Sequence, residues 1–483
     1  MLISPLLKHP GAYVDGQWDR DGEQSFRVRD PATGQVLAEL PDHGGHGAKR
    51  AADAATRCMR HDAMSLDNRR AMLKAIAQLH DDHRDELARI ITMENGKPYA
   101  EAQGEVAYAA GFYRQAARHM GVLEPATLDE RPRDCLWTVH RRPAGVAALI
   151  TPWNFPLAMM AKKLAGALGA GCAVVMKPAE QTPLSMIALM QLIDETLELP
   201  AGLINLVLGE PQAISDAWFA HPAVRIVSFT GSTEVGQRLI AASAANVKRL
   251  ALELGGNAPF VVFDDANLDR AADELMPNKF RCSGQTCVCT NRVLVQQRVM
   301  ETFARKVAER VAKLKVGHGM DEGVAVGPLI DRAGWDKVHA HVSDALARGA
   351  TLVQGEPAER PAENFGAFYP PTVLLGLTPA MRIAHEETFG PVIALGGFHD
   401  EADLIAQAND TIHGLAAYVF TADAGRAARV AAQLHFGHVG LNTGVGPTPE
   451  APFGGMKQSG FGREGGAEGL LEFTEIQTTA AGK

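Results

Sequence analysis

Residues 280–292 read FRCSGQTCVCTNR and carry three of the chain's six cysteines, Cys282, Cys287 and Cys289. Three chemistries compete for such a cluster: a disulfide, a metal site and a nucleophile. A zinc site usually takes four Cys/His ligands in paired units, and here no second cluster and no neighbouring histidine exists, so no metal is expected. A Cys287–Cys289 disulfide would close a very tight loop. A thiolate is a strong nucleophile and leaves readily from a thioester. Packing as small hydrophobes is the ordinary fate of free cysteines. Residue types alone leave nucleophile and packing both open.

Four further stretches hold groups that could serve such a nucleophile. In LELGGN (252–257), Glu253 stands between leucines. A buried carboxylate has a raised pKa and can act as a general base; a solvent-facing strand end is the alternative. In TPWNFP (151–156) two prolines stiffen the loop, and Asn154 offers an amide donor to an oxyanion or serves only as a turn residue. In MKPAEQTP (176–183), Lys177 and Glu180 suit the hydroxyls of a nucleotide ribose. FTGSTEVG (229–236) has the form of a strand, a Gly-Ser turn and a helix start, and a helix N-terminus attracts phosphate.

Those stretches follow short apolar runs: VAALIT (146–151), AVVMKP (173–178), INLVLG (204–209), IVSFTG (226–231) and FVVFDD (260–265). Brief runs rich in Val and Ile, separated by helical segments, predict a parallel sheet covered on both faces; buried helix fragments are the competing interpretation. A second α/β unit is predicted from strands in TVLLGL (372–377), PVIALGGF (391–398) and AAYVFT (416–421). Helices are expected around Phe303–Leu314, ended by Gly317, and over HVSDALARGA (341–350). Apolar periodicity also predicts one helix from Arg69 to Met93, stopped by Asn95-Gly96 and Pro98. CLWTVHRRP (135–143) and LLEFTEIQTT (470–479) read as exposed strands, pairing either with another subunit or as ordinary sheet edges.

A chain of 483 residues exceeds one ordinary hydrophobic core, so two or three domains are expected. With 46% apolar and 21% charged residues and a net charge of −9, it reads as a soluble globular protein. No Lys/Arg block offsets that charge, which argues against a nucleic-acid partner. No apolar run reaches the ~18 residues a membrane span needs; Leu164–Met176 is shorter and holds Gly166, Gly169 and Gly171. The N-terminus lacks the basic start and cleavage site of a signal peptide. The expected compartment is therefore the reducing cytoplasm, where structural disulfides are rare.

Taken in order, TPWNFP, KPAE, FTGS, LELGGN, GQTC, EETFGPV (386–392) and PFGGMKQSGFGREG (452–465) resemble the NAD(P)-dependent aldehyde dehydrogenase superfamily over nearly the whole chain. KFRCSGQTCVCTNR (279–292) and LELGGNAPF (252–260) are most similar to its succinate-semialdehyde dehydrogenase group. The resemblance implies a Rossmann-like NAD-binding domain (1–123 and 144–255), a second α/β catalytic domain (256–455) and, over 124–143 and 456–483, a small β oligomerisation element and C-terminal segment, in a homodimer or homotetramer. It implies Cys287 as nucleophile, Asn154 and the Cys287 backbone N–H as oxyanion donors, and Glu253 as the base that activates hydrolytic water. It places Trp153, Lys177, Glu180, Gly231, Ser232, Glu387 and Phe389 on the cofactor, and Lys163 at a basic position near the active site.

Glu180 would accept both ribose hydroxyls but repel a 2′-phosphate, so NAD is expected over NADP. In the semialdehyde group two arginines and a serine grip the substrate's distal carboxylate. Arg281 matches one arginine, Lys162 stands at the other, and Thr448 in GVGPTPEAPF (444–453) only approximates the serine. Lys keeps the charge but lacks the bidentate fork. A carboxylated semialdehyde, succinic semialdehyde or a longer one, is the expected substrate. The alternatives are a broad-specificity aldehyde dehydrogenase, a CoA-acylating dehydrogenase (which must avoid the hydrolysis Glu253 would promote), an inactive binding homologue, and a thiol redox sensor using Cys287 and Cys289.

Overall fold

The computed structural model describes residues 2–22, 24–61, 64–356, 360–361 and 366–482. Five parallel strands form the middle of an eight-stranded sheet, in the spatial order Arg249–Glu253, Val224–Thr230, Val146–Ile150, Val174–Lys177, Ile204–Leu206. Every residue of Val146–Ile150 and Val174–Lys177 is buried. Helices cover both faces, which is why these strands read as unbroken apolar runs rather than alternating ones. Ala12–Val14 and Gln17–Asp19 extend one edge, and Gly460–Phe461 adds antiparallel to Arg249–Glu253 at the other. Glu253, Thr230, Ile150 and Lys177 end neighbouring parallel strands, so the loops after them gather at one carboxyl-terminal edge, the usual ligand side of such a sheet.

The second sheet has seven strands, in the order Thr351–Gln354, Thr372–Leu375, Val392–Phe398, Thr290–Gln296, Ala258–Val262, Ala416–Phe420, His438–Leu441. All its pairings are parallel except that of Thr351–Gln354. The GQTC loop enters this sheet at Thr290, whereas Glu253 leaves the first.

The single helix expected over 69–93 is two, Leu66–Asp82 and Arg84–Asn95, with His83 between them in a non-helical conformation. Met72, Ile76 and Leu79 on one, and Leu87, Ile90 and Ile91 on the other, are all buried. The apolar stripe passes straight through a one-residue kink, so periodicity cannot reveal it. Gly96 closes the second helix with φ 91°, as its glycine suggests. The helix Met300–Val311 stops well before Gly317.

The two exposed strands pair with each other. Thr474–Ala481 runs antiparallel to Leu136–Pro143 in continuous register, with Ala126–Thr127 on the far side. The C-terminal segment 456–483 is divided among three neighbours. Only its end joins the ribbon, while Gly460–Phe461 belongs to the first sheet and Glu468–Leu471 packs on the helix Pro156–Ala170. Glycines in that helix permit the close approach: a Cβ on Gly166 would strike the Gly469 carbonyl, and one on Gly169 the Leu470 side chain. No described helix is long and apolar enough to cross a membrane.

Candidate active site

Cys287 sits in the loop before Thr290–Gln296, on the wall of a cavity of 290 Å³. The chain approaches it through a strained turn: Cys282, Ser283 and Gly284 all have positive φ (50°, 57° and 76°). Two consecutive non-glycine residues in that region are unfavourable and persist only where their surroundings hold them. The Cys282 N–H donates to Glu101 Oε2 (2.8 Å), Ser283 Oγ to the Gly327 carbonyl (2.8 Å), and Gln285 Nε2 to the Cys282 carbonyl (3.0 Å). The Ile330 N–H anchors Gln285 Oε1 at 2.9 Å. Asn154 completes the clamp, its Nδ2 donating one hydrogen to the Gln285 carbonyl at 2.9 Å. A side-chain amide has a second N–H, which stays available to a ligand in the cavity that Asn154 lines.

Asn154 is itself fixed from behind. Lys97 Nζ donates to its carbonyl (2.7 Å) and to Glu105 Oε2 (2.5 Å), and both side chains of that ion pair are fully buried. Glu105 Oε1 accepts the N–H groups of Leu157 and Ala158 at 3.0 and 3.3 Å. A carboxylate from a neighbouring helix thereby caps Pro156–Ala170, whose first turn has no side-chain cap of its own.

Glu253 Oε1 accepts from the Cys287 thiol at 3.6 Å. Its other oxygen, Oε2, lies 3.5 Å from Lys162 Nζ. Lys163 pairs with Glu464 at 2.5 Å, and Lys162 also lies 3.8 Å from Glu464. These four ionisable groups are buried. Burial alone would raise the Glu253 carboxyl, but Lys162 and Lys163 outweigh it and hold the group below the ordinary carboxylate range. Glu464 moves the other way, raised by burial and by Glu253. Burial, reinforced by Glu253, pushes the Cys287 thiol well above the usual thiol range. Both directions favour a neutral thiol facing an ionised carboxylate. Such a carboxylate can accept a proton from the thiol as it attacks, or from a water.

The mouth of the cavity carries Arg281, which is exposed and has no carboxylate within 4.0 Å among the described residues. Its guanidinium lies 5.3 Å from the centre of the Phe155 ring. Tyr108, Met159, Val445 and Phe453 make the remaining wall largely apolar. Glu101, pushed up to about 7 by burial, also lines it.

Of the three expected substrate contacts, Arg281 and Lys162 line the cavity and Thr448 does not. Lys162 lines the cavity, but its ammonium is engaged with Glu253 and Glu464. Thr448 is exposed and absent from the cavity wall, which Val445, Gly446 and Pro447 supply instead. Its carbonyl closes a local turn with the Ala451 N–H. Cys282 is buried, its thiol pushed up to about 11 by that burial. Cys289 is also buried and free, its thiol 3.3 Å from the Gly284 carbonyl.

The carboxyl edge of the first sheet holds the other expected residues. Lys177 Nζ donates to Glu180 Oε1 at 2.7 Å, and Glu180 remains part-exposed. Ser232 Oγ caps the helix Thr233–Ser243 by accepting the Val235 N–H. Gly231 bonds through its N–H to the Glu253 carbonyl. Glu387 Oε1 accepts the Gly256 N–H at 3.1 Å, and the Trp153 and Phe389 rings meet edge-on at 5.5 Å. A carboxylate suited to ribose hydroxyls, a capped helix start suited to phosphate and the Trp153–Phe389 aromatic pair form a set that fits a nicotinamide dinucleotide. Among the described residues no group of three or more His, Cys, Asp or Glu could hold a metal ion.

A model of the aldehyde dehydrogenase family matches residues 18–479. The chain belongs to that family. A succinate-semialdehyde dehydrogenase of Escherichia coli, whose name specifies NADP(+), is 44% identical over 98% of this chain and 97% of its own. A glutarate-semialdehyde dehydrogenase of Pseudomonas putida is 44% identical over 96% of each. An oxidoreductase structure from Marinobacter aquaeolei superposes on this aldehyde dehydrogenase with a TM-score of 0.97, at 52% identity and 100% coverage of both chains.

Sequence reasoning missed Lys97, Glu101, Glu105 and Glu464 as members of the site. Glu101 and Glu105 are four apart in KPYAEAQGE (97–105), a spacing that puts them on one face of the helix Tyr99–His119, and Lys97 stands four residues before Glu101, just ahead of that helix. That spacing was the available signal. Glu464 lies in a quoted motif, but nothing local to it reveals Lys163.

Proposed function

We propose that this aldehyde dehydrogenase oxidises a small carboxylated semialdehyde, such as succinic semialdehyde, to the corresponding dicarboxylic acid, with NAD as the preferred cofactor. The observation that carries this is the 3.6 Å approach of Glu253 Oε1 to Cys287 Sγ in a cavity that also offers an unpaired Arg281. Cys287 Sγ attacks the aldehyde carbon as its proton passes to Glu253. The second Asn154 N–H and the Cys287 backbone N–H stabilise the oxyanion of the thiohemiacetal. A bound nicotinamide cofactor would supply the acceptor for the hydride that leaves that carbon. Loss of that hydride would leave Cys287 carrying a thioester. Glu253, once it has released the thiol's proton to solvent, takes a proton from the attacking water; the hydroxide adds to the thioester carbonyl, and Cys287 Sγ leaves as the thiolate and is reprotonated, freeing the acid.

Lys177 and Glu180 would hold the adenosine ribose, Gly231 and Ser232 would approach the pyrophosphate, and Trp153, Glu387 and Phe389 would border the nicotinamide. A carboxylate at 180 disfavours a 2′-phosphate by charge, which supports NAD even though the E. coli relative is named for NADP(+). Arg281 suits the distal carboxylate through charge-assisted bonds. In the same reading, 1–123 with 144–255 binds cofactor, 256–455 carries Cys287, and the strands at 136–143 and 474–481 hold a homodimer or homotetramer together. The test is kcat/KM with NAD and with NADP across neutral aldehydes and semialdehydes of increasing length. A best value for a neutral aldehyde would overturn the substrate assignment.

A further inference from the structure

Lys162 stands at the place where the semialdehyde group is expected to grip substrate, yet its surroundings assign its charge elsewhere. Its ammonium is buried at 4% exposure, 3.5 Å from Glu253 and 3.8 Å from Glu464, and 4.8 Å from the centre of the Phe453 ring. Lys163, one residue on, takes Glu464 at 2.5 Å. Two ammonium groups and two carboxyl groups thus meet in the interior, and the two oxygens of Glu253 face different partners, Oε2 toward Lys162 and Oε1 toward Cys287. Turning Lys162 to a substrate carboxylate would strip Glu253 of its nearest cation. A buried charge deprived of its partner is strongly unfavourable, whereas Arg281 at the mouth has no such commitment.

We infer that Lys162 is a positioning residue: it is the fixed counter-ion that keeps Glu253 anionic and aims its free oxygen at Cys287, leaving Arg281 to meet the substrate's anionic end. The inference rests on Glu253 acting as the base in the proposed reaction. An arginine at 162 has the reach and the fork to serve substrate and glutamate together; the lysine serves Glu253. Selection for a carboxylate here therefore depends on one cation rather than two.

The test compares Lys162→Met with the parent enzyme, using succinic semialdehyde and butanal at saturating NAD. The expected result is an acid limb of kcat displaced to higher pH by about one unit or more, a loss of roughly tenfold on that limb. The ratio of the two KM values should change less than about threefold. A rise of about tenfold or more in KM for succinic semialdehyde relative to butanal, with the acid limb unmoved, would make Lys162 a substrate anchor and overturn the inference. Glu253→Gln separates the underlying reading: if it hydrolyses thioester as the parent does, Glu253 is not the base, whatever Lys162 does. Thermal melting of Lys162→Met, Glu253→Gln and the double variant covers the case in which Lys162→Met folds poorly. Removing both partners should recover much of the lost Tm, because it abolishes the unpaired charge. Strictly additive losses, or a double variant that also fails to fold, would contradict the pairing.

Discussion

Glu253 Oε1 lies 3.6 Å from Cys287 Sγ, although the two residues belong to different sheets. Glu253 ends a strand of the eight-stranded sheet, and Cys287 precedes a strand of the seven-stranded one. Gly255 and Gly256 bring the two together: a Cβ on Gly256 would strike the Cys287 carbonyl, and one on Gly255 would crowd Glu387. The chemistry of the site therefore depends on how closely these loops approach as much as on the two reactive side chains.

Burial and the Glu253 charge both disfavour the Cys287 thiolate, so its folded pKa is raised and ionisation is delayed to high pH. Alkylation of Cys287 by iodoacetamide should stay slow through neutral pH and accelerate only above the ordinary thiol range. Glu253→Gln removes a negative neighbour and should shift that curve to lower pH. An unchanged curve would show that the Glu253 charge does not act on the thiol.

Arg281→Ala should raise KM for carboxylated semialdehydes while leaving neutral aldehydes nearly untouched. Losing a charge-assisted hydrogen bond of about 1.5–3 kcal/mol corresponds to roughly 10- to 150-fold. Equal effects on both substrate classes would assign Arg281 a structural role instead.

Glu180→Ser should improve kcat/KM with NADP relative to NAD, because it removes the carboxylate that would face the 2′-phosphate. Lys177, now without its 2.7 Å partner, would be free to meet the phosphate. A cofactor preference identical to that of the parent would place the adenosine ribose elsewhere.

Gly104 lines the cavity within the helix Tyr99–His119, and a Cβ built there meets no atom within 4 Å. Glycine in a helix interior is less favourable than alanine by about 0.5–1 kcal/mol. Gly104→Ala should stabilise the protein by about that amount in chemical denaturation while narrowing the cavity by one methyl group. A destabilised variant would show that the helix needs flexibility at this position.

Much of the first sheet was legible because parallel strands buried on both faces leave unbroken apolar runs, as at Val146–Ile150. The strand Arg249–Glu253 was less visible: its first two residues are only half-buried and Arg249 opens it. The kink at His83 was hidden because a buried stripe continues across it. Within the site, Cys287, Glu253 and Asn154 stood out through their motifs, and the structure draws them to one cavity. The partners that govern them did not. Lys163 and Glu464 are 301 residues apart in sequence, and Lys162 and Glu253 are 91 apart, so only the folded chain reveals which charges meet. Thr448 is only an approximate counterpart of the serine position, and nothing local to GVGPTPEAPF reveals that Val445, Gly446 and Pro447 line the cavity in its place.

The most direct test of the proposed reaction is intact-mass analysis of Glu253→Gln after mixing with succinic semialdehyde and NAD. The account predicts one equivalent of reduced cofactor released in a burst and an acyl adduct that persists and maps to the peptide holding Cys287. A burst without an adduct, an adduct on Cys282 or Cys289, or rapid turnover without accumulation would contradict it.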